Sequence, residues 1–373
     1  MAKKDKKDNE SIKRNIMEPP TSTVLLGPRE GFIEDVTTNF QLIKKRLVTS
    51  SLQEVNLKIG KYTQTQVKIL YLNDIADEKI VTKIAKKLSQ INIDGILDSF
   101  YLASFLEQKP NSIFKQVGQT EKPDVAVAKM LEGRVAILVD GSPIVLTLPF
   151  VLIEDLQSPD DYYQKNFRVT ITRYIRLISI LVSTLLPGLY LALLLYHYKI
   201  IPFNLLVTLS NSTANLPFGP FIEILFVIIL FEVLYEANLR MPRHLGMALS
   251  IVGALILGDT AVQAGLISPG AVMIIALSGI TAYTLPNETG QLSLLRLGFT
   301  FFAGMLSFYG ICLFGVFLLL YLSNFNSYGS PYLAPIAPYI KSDLKDAVHK
   351  QNLLNLKTRP LSIKNKNKTR LES

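Results

Sequence analysis

Four carboxylates stand inside long apolar runs. Glu223, Glu232 and Glu236 fall within Phe218–Ala237, FGPFIEILFVIILFEVLYEA, and Asp259 within Leu245–Gly265, LGMALSIVGALILGDTAVQAG. A bilayer-spanning helix needs about 20 apolar residues, and a carboxylate inside one costs roughly 2.5–3.5 kcal/mol on insertion scales. Each of these acids therefore needs a protein partner, a water-filled path or a place near the interface. Their chemistry is the handling of cations and water rather than the making of bonds.

Spacing divides them. Glu232 and Glu236 are one helical turn apart, close to Arg240 and Arg243, and read as interfacial ion pairs with those arginines. Glu223 lies on the other face of the same run. In the next run, Gly246, Ser250, Gly253 and Ala254 share about a third of the helix circumference at ~100° per residue, with Gly258 at its margin. Small residues so spaced let helix backbones approach closely. Asp259 and Gln263, one turn apart, take roughly the opposite face. In an oligomer such residues form a ring, as in cation-selective pores, so Asp259, Gln263 and Glu223 are the candidates for an ion pathway. The competing reading of Asp259 is an acid that snorkels to the outer interface.

Nothing in the chain suggests catalysis. It has no Gly-rich phosphate loop and no G-x-S-x-G. Cys312 is the only cysteine, and His197, His244 and His349 are scattered, so neither a metal site nor a cofactor is expected. Arg29, in the turn-rich Gly27–Gly31, either holds an anion or makes a local ion pair. The net charge of +9 lies mostly outside the apolar runs, where a nucleic-acid role has little support and a membrane supplies the ordinary explanation.

The elements that position these residues fall into two classes. A mean hydropathy of +0.29 over 373 residues hides a division near Ser158–Tyr163, SPDDYY. The sequence predicts a charged, solvated arm over residues 1–17 and a soluble α/β domain over 18–160. A transmembrane helical domain follows over 161–325, with a basic tail over 326–373. Helices are expected over Glu30–Leu47, Asp77–Leu88 with Asp77 as N-cap, and Pro123–Leu131. A strand is expected over Gln66–Leu72. Arg134–Pro149 reads as a β-hairpin turning at Asp140-Gly141 in type I′ geometry.

In the membrane part, spans are expected at Ile175–Tyr198, Phe218–Ala237, Leu245–Gly265, Ala271–Leu285 and Leu294–Leu322. Pro187-Gly188 predicts a kink in the first. Arg168, Arg173 and Arg176 place the soluble domain in the cytoplasm. Five crossings then carry the basic tail outside, against the same rule. Either Phe203–Leu216 forms a half-span, or the last run is a re-entrant hairpin broken near Gly310, or the five crossings stand.

Several stretches read together resemble the A subunit of bacterial spore germination receptors, the GerA type. They are GPREGF (Gly27–Phe32), IDGILDS (Ile93–Ser99), LEGRVAILVDGSP (Leu131–Pro143), SPDDYY, RMPRHLG (Arg240–Gly246), SIVGALILGDTAVQAGLISP (Ser250–Pro269) and SYGSPYLAPIAP (Ser327–Pro338). The resemblance implies a multi-pass protein of the spore inner membrane, with a cytoplasmic α/β domain followed by an all-α polytopic transmembrane domain. It also implies a transporter-like B subunit and a lipoprotein C subunit as partners, a homo-oligomer in membrane lipid, and monovalent-cation release at the start of germination. Relatives usually carry a further α/β subdomain before GPREGF, where this chain has only the charged arm. Two other readings compete with the channel subunit: a stand-alone secondary transporter, for which Pro187-Gly188 supplies one broken helix and no second is found, and a non-conducting assembly scaffold.

Overall fold

The computed structural model describes residues 14–19, 22–24, 26–240 and 258–371. The chain forms two compact units, one of residues 1–173 with 322–373 and the other of 174–321.

The first unit is built on a five-stranded sheet of β1 (Leu52–Ile59), β2 (Thr65–Leu72), β3 (Gly118–Thr120), β4 (Val135–Val139) and β5 (Val145–Leu148). The strand order is β1-β2-β4-β5-β3, and every neighbour is antiparallel. Alternation along the strands sends side chains to opposite faces. Val67, Ile69 and Ile137 meet Ile80, Ile84 and Leu88 of α2 (Glu78–Ser89) and Leu102 and Leu106 of α3 (Ser99–Leu106). Leu70, Leu72 and Leu138 meet Val36 and Ile43 of α1 (Val36–Arg46) and Ala126 and Met130 of α4 (Pro123–Leu131). With helices on both faces, β4 is buried at every position, which explains its unbroken apolar sequence.

Local chemistry sets the helix starts. Asp35, Asp77 and Asp98 accept from Thr38 N, Lys79 N and Phe100 N at 2.8, 2.9 and 2.8 Å. The first helix begins at Val36 rather than Glu30, because the Asn39 side chain bonds both backbone groups of Ile33 and holds that segment out of helix. The hairpin also differs from expectation. Residues 140–144 separate β4 from β5, so the turn is longer than type I′, and the Asp140 carboxylate accepts from Val36 N at 3.2 Å. Arg29 is largely exposed and stands 3.9 Å from Glu18, the local-ion-pair alternative.

Residues 322–373 fold onto this unit instead of trailing from it. Tyr332 is 1% exposed and packs its ring against Phe150 and Phe325. Lys366 N donates to Ile75 O at 2.7 Å and Arg359 Nε to Leu131 O at 2.7 Å. Deeper in, Lys129 and Arg134 share Glu154. Burial pushes the Glu154 carboxyl up, but Arg134 and Lys129 outweigh it and hold it below the usual carboxylate range.

Arg173 is the firmest tie. It is 1% exposed, donates from Nε to Asp161 at 2.9 Å, and donates from Nη1 to Asp346 Oδ1 at 3.3 Å and Ala347 O at 3.1 Å. Lys350 Nζ donates to the Asp161 and Gln164 carbonyls, and Tyr162 lies under both cations at 5.9 and 5.5 Å. Removing one partner of such a buried pair leaves an uncompensated charge. Arg173→Met is expected to lower the stability of the first unit by about 3–5 kcal/mol, read as the unfolding midpoint of the full chain in detergent. Wild-type unfolding would sink the assignment.

Candidate functional site

The second unit contains α5 (Asn166–Tyr196, continuing out of the first unit), α6 (Phe203–Thr213), α7 (Pro220–Arg240), α8 (Pro269–Ala282) and α9 (Thr289–Ser323), with a further helical stretch at 258–263. Two of these runs, 166–196 and 286–323, are long and apolar enough to cross a membrane by length and composition.

The last run is folded back on itself. Ser307 breaks α9 with φ 58° and ψ −141°. Phe314 then stands edge-on to Phe299 at 4.8 Å and stacks on Phe302 at 5.1 Å. A straight helix would separate residues 299 and 314 by about 22 Å. Gly310 permits the fold, since a Cβ there would collide with the Phe302 carbonyl. The break is thus three residues before the Gly310 expected from sequence, and it is set by the tight approach of the two arms. The tip meets the end of α5, where Ser307 Oγ lies 3.1 Å from His197 Nδ1 and Tyr196 OH donates to Gly304 O at 2.7 Å.

Pro187 explains the centre of the bundle. Proline has no N–H, so the carbonyl one turn earlier, on Ser183, loses its helical partner. Ser278 Oγ on α8 donates to that carbonyl at 2.7 Å. Arg296 Nη1 on α9 lies 3.3 Å from the same Ser278 hydroxyl, and Arg296 Nη2 donates to Glu232 on α7. Ser293 donates to the same Glu232 oxygen. One polar chain therefore joins four helices through a single guanidinium. Gly188 adds a close approach, because a Cβ there would stand 3.1 Å from Phe299 O and 3.2 Å from Ala303 Cβ.

This geometry corrects one expectation. Glu232 pairs with Arg296 rather than with Arg240. The expected pairing assumed a straight partner along the same helix, whereas α9 brings Arg296 alongside α7. Arg240 instead bonds Glu236, Nε to Oε1, at 2.7 Å, one turn away and exposed. Arg243 lies outside the described residues.

The other sequence candidates separate. Glu223 is 2% exposed and accepts from Ser268 N at 2.6 Å. Ser268 in turn caps α8 through Ala271 N at 3.1 Å. The carboxylate thus sits at the N-terminus of α8 while also lying in the first turn of α7, where helix dipoles favour negative charge. Asp259 and Gln263 are both exposed, and Gln263 Nε2 donates to Asp259 Oδ2 at 2.7 Å. Gly246, Ser250, Gly253 and Ala254 lie outside the described residues. Gly258 has nothing within 4 Å of its Cβ direction among the described residues. No group of His, Cys, Asp and Glu suited to a metal occurs among the described residues.

Sequence reasoning missed Ser183, Ser278, Ser293 and Arg296. Two signals were available: an arginine at the head of an apolar run, and a proline whose freed carbonyl needs a donor. Ser278→Ala is expected to destabilise the bundle by about 1–3 kcal/mol by orphaning the Ser183 carbonyl. In a Pro187→Ala background, which restores an N–H to that carbonyl, the loss should shrink. Equal losses in both backgrounds, measured as unfolding midpoints, would refute the assignment.

Residues 7–362 match the model of the Bacillus/Clostridium GerA spore germination protein family. The chain is 37% identical to the membrane protein YfkQ of Bacillus subtilis over 90% of its own length, and 36% identical to spore germination protein KA of the same organism over 96%. It spans 66% of the length of each. The crystal structure of the N-terminal domain of the A subunit of the Bacillus megaterium spore germinant receptor GerK3 is 39% identical, covering 32% of this chain and 94% of that one, at a TM-score of 0.27. The chain belongs to the GerA family, the A subunits of spore germination receptors, which are not enzymes.

Proposed function

We propose that this chain is the channel-forming A subunit of a nutrient-responsive germination receptor in the spore inner membrane. It assembles with copies of itself and with a transporter-like B subunit and a lipoprotein C subunit, and it passes or gates monovalent cations. The observation that carries the reading is the exposed Asp259–Gln263 pair. A carboxylate within an apolar run needs water or a protein partner, and on this protomer its side-chain bond is to Gln263, one turn along. Symmetry-related copies facing one another around a hydrated axis would supply the environment it needs. Glu223 is engaged inside the protomer and acts as an anchor for α8.

The bundle also supports a topology. Glu223 meets Ser268 at one end of α7 and α8, while Glu232 meets Arg296 further along, so these two helices run the same way. Tyr196 and Gly304 pair at the far ends of α5 and the first arm of α9, which run together. The second arm returns to Leu322, in the same unit as Arg173. On this reading the membrane part crosses an even number of times and begins and ends on one side of the bilayer. This reading also places the basic tail in the cytoplasm, as the positive-inside rule requires.

Two experiments test these proposals. Spores carrying Asp259→Ala should release monovalent cations several-fold more slowly at wild-type protein levels. Unchanged release, or a purified complex that is monomeric, would exclude an axial pathway at this residue. In a Cys312→Ser background, Thr49→Cys and Ser342→Cys should be labelled from the same side by an impermeant thiol reagent, with Lys199→Cys labelled from the other. Opposite labelling of Thr49→Cys and Ser342→Cys would require an odd number of crossings.

A further inference from the structure

Arg296 presents an unsolved polar problem. It is 5% exposed, and its two terminal nitrogens are engaged by Ser278 and Glu232. Its Nε–H is buried and has no hydrogen-bond partner among the described residues. Beside it lies a half-open pocket of about 30 Å³ bordered by Ser183, Glu232, Tyr235, Gly279, Tyr283 and Thr289. A charged donor left bare in a low-dielectric interior is costly. Apolar cavities stay dry, but a polar one above ~10–15 Å³ of probe-sized space holds water when two or more partners line it.

We infer that this cavity is an ordered-water site, in which water bonds Arg296 Nε–H and the lining hydroxyls and keeps the Glu232–Arg296 pair hydrated within the apolar bundle. The choice of ligand follows from charge and size. An anion on Nε would face the Glu232 carboxylate, and a cation on Glu232 would face the guanidinium. The pair is neutral as a whole, so the space suits a small neutral molecule that both donates and accepts. At this volume, water is that molecule. The site is independent of the Asp259 pathway and stands whether or not the chain conducts.

Hydration changes what the pair does. A dry ion pair in a bundle opens only by exposing bare charges, whereas a bound water can follow either partner as it moves.

Gly279 gives a test with opposite signs for a wet and a dry cavity. A Cβ there would point toward Arg296 Nη1 at 3.9 Å, in ordinary contact. Gly315, also within a helix and with Phe299 at 3.9 Å, is the matched control. The unfolding midpoint of the full chain in lipid nanodiscs would be measured for Gly279→Ala, Gly279→Ser and Gly315→Ala. Gly315→Ala should raise the midpoint through helix propensity. With water in the cavity, Gly279→Ala displaces it and lowers the midpoint by about 2–4 °C, the shift for ~1 kcal/mol in a domain of this size. Gly279→Ser, whose hydroxyl replaces the water, should unfold above Gly279→Ala despite the weaker helix propensity of serine. A rise for Gly279→Ala matching that of Gly315→Ala, with serine below alanine, would overturn the inference. If neither Gly279 variant accumulates, a high-resolution map of the unmodified chain decides. Density within hydrogen-bonding distance of Nε supports the site, and a clear map without it refutes it.

Discussion

The bundle is organised around one missing hydrogen bond. Where no bulk water reaches, a backbone carbonyl must find its donor within the protein, and Pro187 denies one to Ser183. The hydroxyl of Ser278 makes good the loss from another helix. That hydroxyl also takes a bond from Arg296, and a guanidinium so placed needs a counter-charge, which Glu232 supplies. A single proline therefore entails a serine, an arginine and a glutamate on three further helices. Such a chain of requirements fixes the rotation and depth of each helix, which apolar packing alone leaves loosely determined.

The first unit meets a similar difficulty with different means. Arg173 is buried still more deeply than Arg296, and its partners include two carboxylates and a backbone carbonyl. Two of these three partners, Asp346 and Ala347, come from residues far along the chain, so the buried charge secures the C-terminal segment to the sheet domain. Buried pairs of this kind add little net stability compared with apolar packing, yet they penalise any arrangement that separates the partners. Specificity of assembly is their contribution in both units.

Much of the α/β unit was legible beforehand because its signals are local. Asp77 with the apolar stripe behind it defines a helix whatever surrounds it, and the alternation of Gln66–Leu72 defines a strand. The strand β1 was harder to read, since its edge position leaves Gln53, Glu54, Asn56 and Lys58 exposed and dilutes the apolar pattern. The length of the hairpin turn was misjudged because Asp140, a good type I′ residue, is recruited instead to the start of α1. Among the membrane acids, Glu236 and Arg240 sit one turn apart on one helix, within reach of sequence reasoning. Glu232 and Arg296 are 64 residues apart, and no periodicity links them.

The sequence by itself determined the division into a charged α/β part and an apolar helical part, the positions of most helices, the unusual carboxylates, and the family. These follow from composition, spacing and motif, which act over a few turns of chain. Only the tertiary structure decided that the last apolar run folds back at Ser307, that the basic tail belongs to the sheet domain, and that the four acids have different tasks. Glu223 anchors a helix, Glu232 neutralises a buried arginine, Glu236 pairs at the surface, and Asp259 faces outward. A carboxylate's role depends on what desolvates it and what charge lies within a few ångströms, and those neighbours come from elements that are distant in sequence.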